Sequence, residues 1–131
     1  MKLTQQKQVK SQEKSELGRA GEEIACKYLS KYAFIILERN WQFRHKEIDI
    51  IALKDNILHV VEVKTRSSSY FERPQDAVTK QKQRFLITAI NDYINQHDFD
   101  GEIQFDIFSV LIENGKETLE FIPDAFYPIC K

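Results

Sequence analysis

Two apolar segments separated by a single turn signal constrain the fold of this chain more than any other feature. Residues 47–53 and 57–64 are rich in Ile, Leu and Val, a composition typical of β-strands. Between them lies Lys54-Asp55-Asn56. Asp and Asn both tolerate positive φ, which favours a two-residue loop of Asp55-Asn56 in a type I′ turn. The segments are therefore predicted to form an antiparallel hairpin in which the numbers of opposed residues sum to 111.

That register sets two acidic side chains against each other. Asp49 opposes Glu62, Glu47 opposes Lys64, and period-two alternation puts all four on one face of the sheet. Opposed Cβ atoms lie about 5 Å apart, and like charges at that spacing are destabilising. Two such carboxylates can instead share a hard cation such as Mg²⁺, with the Lys64 ammonium beside it. The alternative is that Glu62 and Lys64 are solvated positions on an open sheet face.

The remaining periodicity predicts an α/β domain with a mixed sheet of about five strands flanked by two helices. The predicted order is helix, three strands, helix, two strands. The predicted segments are a helix from the N-cap Ser15 to about Ser30, a short buried strand from Phe34 towards Trp41 and Phe43, the hairpin, a helix from Pro74 to about Asn95, and strands around residues 103–112 and 118–122 joined at Asn114-Gly115. Residues 1–14 are predicted to be a mobile tail and residues 15–131 a single domain.

Both predicted helices carry residues that their own periodicity does not explain. Gly18 and Gly21 each weaken a helix by about 1 kcal/mol relative to alanine, so a strand or a ligand is expected to approach the backbone there. Glu22 could bring a third carboxylate to the hairpin, or could be a solvated acid near the helix start. Lys82 lies on the apolar stripe of the second helix, and either extends outwards or reaches a buried anion.

Two further groups of polar residues have open interpretations. Asp106 alternates with Phe108 and Val110, which favours a buried polar partner rather than a catalytic group. The segment after Lys64 is predicted to be mobile and carries basic and aromatic residues suited to phosphate contact and base stacking. These residues are Arg66, Tyr70, Phe71 and Arg73. Such loops are also common in proteins without that function.

Composition and charge set wider bounds on function. The chain has 131 residues and a net charge of −1, but the first 46 residues carry ten Lys and Arg against five Asp and Glu. A basic face is compatible with a polyanionic partner without requiring one. The N-terminus lacks the apolar region of a secretory signal, and no run of about 20 apolar residues is present. Cys26 and Cys130 form no disulfide framework, so we expect free thiols and a cytoplasmic location.

The order of these residues resembles the PD-(D/E)XK nuclease superfamily and, more narrowly, the YraN-like family of uncharacterised, predicted endonucleases. The resemblance spans nearly the whole domain, from Leu17 to Phe126. The segments that carry it are Leu17-Gly-Arg-Ala-Gly-Glu22 with Ala25 and Tyr28-Leu29, Ile36-Leu37 with Arg39-Asn40, Glu47-Ile-Asp-Ile-Ile-Ala52, Val61-Glu-Val-Lys-Thr-Arg66, Ala77-Val78 with Lys82-Gln83, and Phe105-Asp106 with Phe126.

The resemblance implies specific roles for the site residues. Asp49 and Glu62 would be metal ligands, Lys64 catalytic and Glu22 a supporting carboxylate. It strengthens the case for Arg66 and for Lys82-Gln83 as nucleic-acid contacts, to which the basic first helix adds Arg19. The implied cofactor is Mg²⁺, with Mn²⁺ as a substitute in vitro.

Three functions remain open at this point. One is an endonuclease acting on DNA, with branched or structured DNA as a candidate substrate and a homodimer expected for a two-fold junction. Another is a nucleic-acid-binding or adaptor protein that keeps the nuclease fold without cleavage. The third is a structural domain in which Asp49 and Glu62 only pair with Lys64 and Lys82.

Overall fold

The fold is a five-stranded mixed sheet with one helix packed on each face. In the computed structural model, residues 14–68 and 73–127 are described. The elements in chain order are helix α1 (Glu16–Lys31), strands β1 (Ile35–Phe43), β2 (Lys46–Lys54) and β3 (Ile57–Arg66), a 3₁₀ turn (Pro74–Ala77), helix α2 (Lys80–His97), and strands β4 (Glu102–Glu113) and β5 (Lys116–Ile122). This order confirms the predicted fold class.

The strands lie side by side in chain order, from β1 to β5. Neighbouring strands pair antiparallel except β3 and β4, which are parallel because the chain crosses over through α2. Both predicted tight turns are confirmed. Asp55 and Asn56 have φ of 52° and 61°, and Asn114 and Gly115 have φ of 53° and 74°. The β2–β3 register sums to 111, as Ile50 opposite Val61 shows.

Helix α1 begins where the sequence predicts. The Ser15 side chain accepts a hydrogen bond from the Gly18 amide, which satisfies one of the unpaired donors of the first turn. The apolar face of α1 packs on one side of the sheet. The buried residues of that cluster are Ala25, Cys26, Leu29, Ile50, Ala52, Val61, Phe108 and Val110.

Helix α2 starts later than predicted. Pro74 opens a separate 3₁₀ turn, and the α-helix begins only at Lys80, after the N-cap Thr79, whose hydroxyl accepts a hydrogen bond from the Lys82 amide. The prediction of a single helix from Pro74 was wrong because Val78 has a non-helical conformation, with φ of −99° and ψ of 89°, and interrupts it. The helix covers the other face of the sheet. The buried residues there are Ile48, Ile51, Leu58, Val60, Val78, Leu86, Ala89, Ile90, Tyr93, Phe105 and Ile107.

Strand β1 is not the buried strand that its apolar start predicts. It lies at an edge of the sheet, where Ile35 and Leu37 are exposed, and its pairing with β2 shifts register between Ile36 and Glu38. An edge strand has a neighbour on one side only, so part of its apolar surface stays uncovered.

Several predictions concern residues outside the described ranges. Those on residues 1–13, on Tyr70 and Phe71, and on Cys130 are of this kind. Within the described ranges, no helix combines the length and the apolar character needed to cross a bilayer. Cys26 is buried and is a free thiol.

Candidate active site

The site begins where the alternation of β2 is displaced. Ile50 packs under α1, whereas Ile48, two residues earlier, packs under α2. Regular alternation would put both on the same face, so the alternation is broken between them, at Asp49. On β1, the residue between the pairs Arg39–Ile50 and Trp41–Ile48 is Asn40, which has a φ of 50°. Both strands are therefore irregular at the position of Asp49.

Asp49 replaces a main-chain partner of β3. The β2–β3 ladder ends at Ile50 and Val61, one residue before Asp49 would pair with Glu62. In the same register Val63 would oppose Ile48, but its amide donates instead to Oδ2 of Asp49 at 2.8 Å. The direct Asp49–Glu62 and Glu47–Lys64 ladder pairs that the register predicts are therefore absent. The strands separate at this end of the hairpin, and a nearly buried carboxylate lies between them.

Glu62 lies on the α2 side of the separated strands. Val60 packs under α2, so alternation puts Glu62 and Lys64 on the same face. The Lys82 ammonium lies 3.0 Å from Oε2 of Glu62. Of the two interpretations of Lys82, contact with a buried anion is therefore the one observed. The other oxygen, Oε1, is buried and has no hydrogen-bond partner among the described residues.

The environment of Glu62 disfavours its charged form. Burial, and after it the nearby charge of Asp49, raise the pKa of the Glu62 carboxyl to about 7, while Lys82 and Lys14 oppose this rise. A carboxylate that is desolvated and close to a second carboxylate is stabilised by an additional cation. The unpartnered oxygen shows that Lys82 satisfies only part of this demand.

Glu22 and Glu47 add two carboxylates on the α1 side. With Asp49 they surround the ammonium of Lys14. This ammonium donates hydrogen bonds to Glu22 and, at 3.0 Å, to Oδ1 of Asp49, and it lies 3.8 Å from Oε1 of Glu47. Burial raises the pKa of Glu22, and the charge of Asp49 adds to this rise, while Lys14 opposes it. We call these four residues the Lys14 cluster.

Lys14 is the site residue that sequence reasoning missed. It lies at the end of the segment predicted as a mobile tail, where a lysine in a Lys- and Gln-rich stretch indicates solvent exposure. In the structure it lies directly before the N-cap Ser15, and Arg19 donates a hydrogen bond to its carbonyl at 2.6 Å.

These groups line one cavity of about 470 Å³ at the separated ends of β2 and β3, between α1 and α2. Of the predicted site residues, five line it: Glu22, Asp49, Glu62, Lys64 and Lys82. The predicted close approach at the glycines is confirmed at Gly21, where an added Cβ would lie 1.9 Å from Oγ1 of Thr65. Strand β3 therefore packs directly against the α1 backbone and brings Glu22 to the hairpin.

The other predicted nucleic-acid contacts lie outside the lining of this cavity. Arg19 is exposed and lines a neighbouring cavity of about 310 Å³, together with Asn40 and Gln42. The side-chain amide of Gln83 donates a hydrogen bond to the main-chain carbonyl of Val78, so this side chain closes the turn before α2. Arg66 is half-buried at the end of β3.

Asp106 is buried in a polar network away from the cavity, as its alternation predicts. Its carboxylate binds Nδ1 of His59 at 2.7 Å and accepts hydrogen bonds from Gln104 and from the Asp124 amide. This network ties β3, β4 and the segment after β5 together. Asp106 is therefore a structural residue.

The sequence of this chain matches a known protein family. The profile of the uncharacterised protein family UPF0102 matches residues 21–110. This chain belongs to that family. The UPF0102 protein of Flavobacterium psychrophilum is 48% identical over 115 residues, covering 88% of this chain and 97% of the relative.

Two further UPF0102 proteins show the same extent of similarity. That of Bacteroides fragilis is 46% identical over 112 residues, covering 86% of this chain and 93% of the relative. That of Flavobacterium johnsoniae is 46% identical over 119 residues, covering 88% and 97%. The UPF0102 match spans α1 through most of β4, and so includes Glu22, Asp49, Glu62, Lys64 and Lys82.

Proposed function

We propose that this UPF0102 protein is a Mg²⁺-dependent endonuclease that hydrolyses phosphodiester bonds of DNA, in branched or structured DNA in particular, and acts in the cytoplasm. The observation that carries the proposal is the pair Asp49 and Glu62 at the separated ends of β2 and β3, with Lys64 lining the same cavity. Desolvated carboxylates beside a lysine suit a reaction in which negative charge develops on a phosphate.

The donor set fits a magnesium ion. Mg²⁺ in nucleotide-processing sites is held by one or two carboxylates and keeps several waters. Asp49 and Glu62 would hold it, and Oε1 of Glu62 is a buried carboxylate oxygen whose hydrogen-bonding capacity the described residues leave unused. No group of three or more His, Cys, Asp and Glu side chains in residues 14–68 and 73–127 is close enough to hold an ion unaided. The proposal therefore requires water and phosphate oxygens as the other ligands.

When bound, Mg²⁺ would lower the pKa of a coordinated water and polarise the scissile phosphate. The protein side chains have separate tasks. Lys64 would stabilise the negative charge that builds up on the phosphate, and Lys82 would hold Glu62 in place through its 3.0 Å contact. Arg19 and Arg66 would contact the DNA backbone outside the cavity, where charge rather than base identity decides binding.

The direct test is cleavage of labelled duplex, flap and four-way-junction DNA in Mg²⁺ or Mn²⁺. We expect Asp49→Asn to abolish cleavage and Lys64→Met to lower the rate by about 100-fold or more. Asp55→Asn in the hairpin turn and Lys116→Met on β5 make the same changes in charge far from the cavity and should cleave at the wild-type rate. Cleavage that survives both site substitutions would refute the proposal.

A second candidate function is a nucleic-acid-binding protein without cleavage. The observation that favours it is that Asp49 and Glu62 each already have a lysine partner, Lys14 and Lys82. Such a protein would bind DNA with an affinity that falls as salt rises, and would bind equally well in EDTA and in Mg²⁺. A binding measurement under both conditions, made beside the cleavage assay, separates the two functions. The size of the complex in the same experiment tests the expected homodimer.

A further inference from the structure

The Lys14 cluster has an unusual balance of charge. One ammonium faces three carboxylates, those of Glu22, Glu47 and Asp49. It touches two of them at hydrogen-bond distance, and the carboxylate oxygen of Asp49 that it uses, Oδ1, is the one not engaged by the Val63 amide. A cation that approaches Asp49 therefore meets the positive charge of Lys14 at Oδ1 and must share the carboxylate with it.

The main chain of Lys14 is held on the C-terminal side of its Cα. Its carbonyl accepts a hydrogen bond from Nη1 of Arg19, and the next residue, Ser15, caps α1. Only the side chain, with its four rotatable carbons, can move away from the acids without disturbing the helix start. About a quarter of that side chain is exposed, so a path to solvent exists.

We propose that Lys14 is an internal counter-ion that competes with the divalent cation for Asp49 and thereby sets the metal concentration at which the site fills. The proposal rests on the metal binding of the proposed function. In the metal-free protein the ammonium offsets the repulsion between the acids. When the ion binds, it takes over that role, and the lysine side chain turns outwards to solvent. Lys14 is then a residue that tunes affinity, without a part in the chemical step.

This mechanism makes opposite predictions for the two states of the protein. Replacing Lys14 by a neutral residue removes the competitor, so metal binding should strengthen. The same replacement leaves the acids uncompensated without metal, so the metal-free protein should become less stable. A lysine that assisted catalysis or helped to hold the ion would weaken metal binding when removed.

The test compares the full-length wild type with Lys14→Met and Lys14→Gln by calorimetric titration with Mn²⁺. Lys27→Met, an exposed lysine on α1, is the matched control. We expect both Lys14 variants to bind Mn²⁺ at least about tenfold more tightly than wild type, and Lys27→Met to bind like wild type. The melting temperatures of the two Lys14 variants in EDTA should fall below that of wild type. Mn²⁺ should raise the melting temperatures of these variants by more than it raises that of wild type.

The outcomes separate this inference from the proposed function. Equal or weaker Mn²⁺ binding by the Lys14 variants would overturn the competition while leaving the metal site intact. Absence of Mn²⁺ binding in wild type and in every variant would overturn both the competition and the metal site. The use of both Met and Gln ensures that a folding defect peculiar to one replacement does not decide the result.

Discussion

The raised pKa of Glu62 predicts a stability that changes with pH in a defined direction. The ordinary pKa of a glutamate is 4.5, and in the folded protein that of Glu62 is about 7. The folded state holds the proton more tightly than the unfolded chain, so protonation of Glu62 favours folding. This contribution is fully present below pH 4.5 and is lost as the pH rises through 7.

The size of the effect follows from the two pKa values. A shift of one unit corresponds to about 1.4 kcal/mol, and for these values the loss between pH 5 and pH 8 is about 2.5 kcal/mol. The substitution Glu62→Gln removes this ionisation. Relative to wild type, the variant should therefore gain about 2.5 kcal/mol of unfolding free energy between pH 5 and pH 8. The part of the Lys82 contact that depends on the charge of Glu62 is already included in the pKa of about 7, so it adds nothing further to this difference.

The assay is urea unfolding in EDTA at several pH values, followed by circular dichroism. Glu117→Gln, an exposed glutamate on β5, is the control and should keep the pH dependence of wild type. If the stabilities of wild type and Glu62→Gln ran parallel between pH 5 and pH 8, Glu62 would not be the desolvated acid described here.

Three further substitutions test the architecture that forms the site, each by thermal or urea unfolding. Gly21→Ala should lower the free energy of unfolding by about 1–3 kcal/mol because the added Cβ would meet Thr65. Gly18→Ala, whose added Cβ would have its nearest contact at 3.3 Å, should be tolerated. Equal effects of the two substitutions would contradict the close packing of α1 on β3. Asp106→Ala should cost about 3–5 kcal/mol by leaving His59 without its buried partner, and a near-neutral result would refute that network. Asn56→Val should lower the free energy of unfolding by about 1–2 kcal/mol because a β-branched residue is strained at the φ of 61° found there. Asn56→Gly should fold normally, and a tolerated valine would argue against the type I′ turn.

The hairpin was predictable because its determinants are local. Asp55-Asn56 suits positive φ at both positions, and the loop length then fixes which residues oppose each other. Lys82 was identifiable for a similar reason, since a charged residue on an apolar helical stripe must find a partner or reach solvent. The glycine spacing likewise indicated a close approach, which the structure assigns to Thr65 at Gly21.

The features that the sequence did not predict depend on contacts between distant segments. The register rule holds only to Ile50 and Val61, because the Asp49 side chain then takes the place of a main-chain acceptor. Lys14 contacts Asp49 across 35 positions of sequence, and no local pattern indicates such a contact. The exposure of β1 depends on its place at the sheet edge, which the apolar run at Ile35 does not reveal.

The central claim is that Asp49 and Glu62 hold a divalent cation, and the most direct test is a crystal structure of the protein soaked in Mn²⁺. We predict an anomalous-scattering peak between the two carboxylates, within bonding distance of Oε1 of Glu62, with the Lys14 ammonium moved away from Asp49. A well-ordered site without such a peak, with Lys14 still bound to Asp49 and Lys82 still bound to Glu62, would contradict the claim.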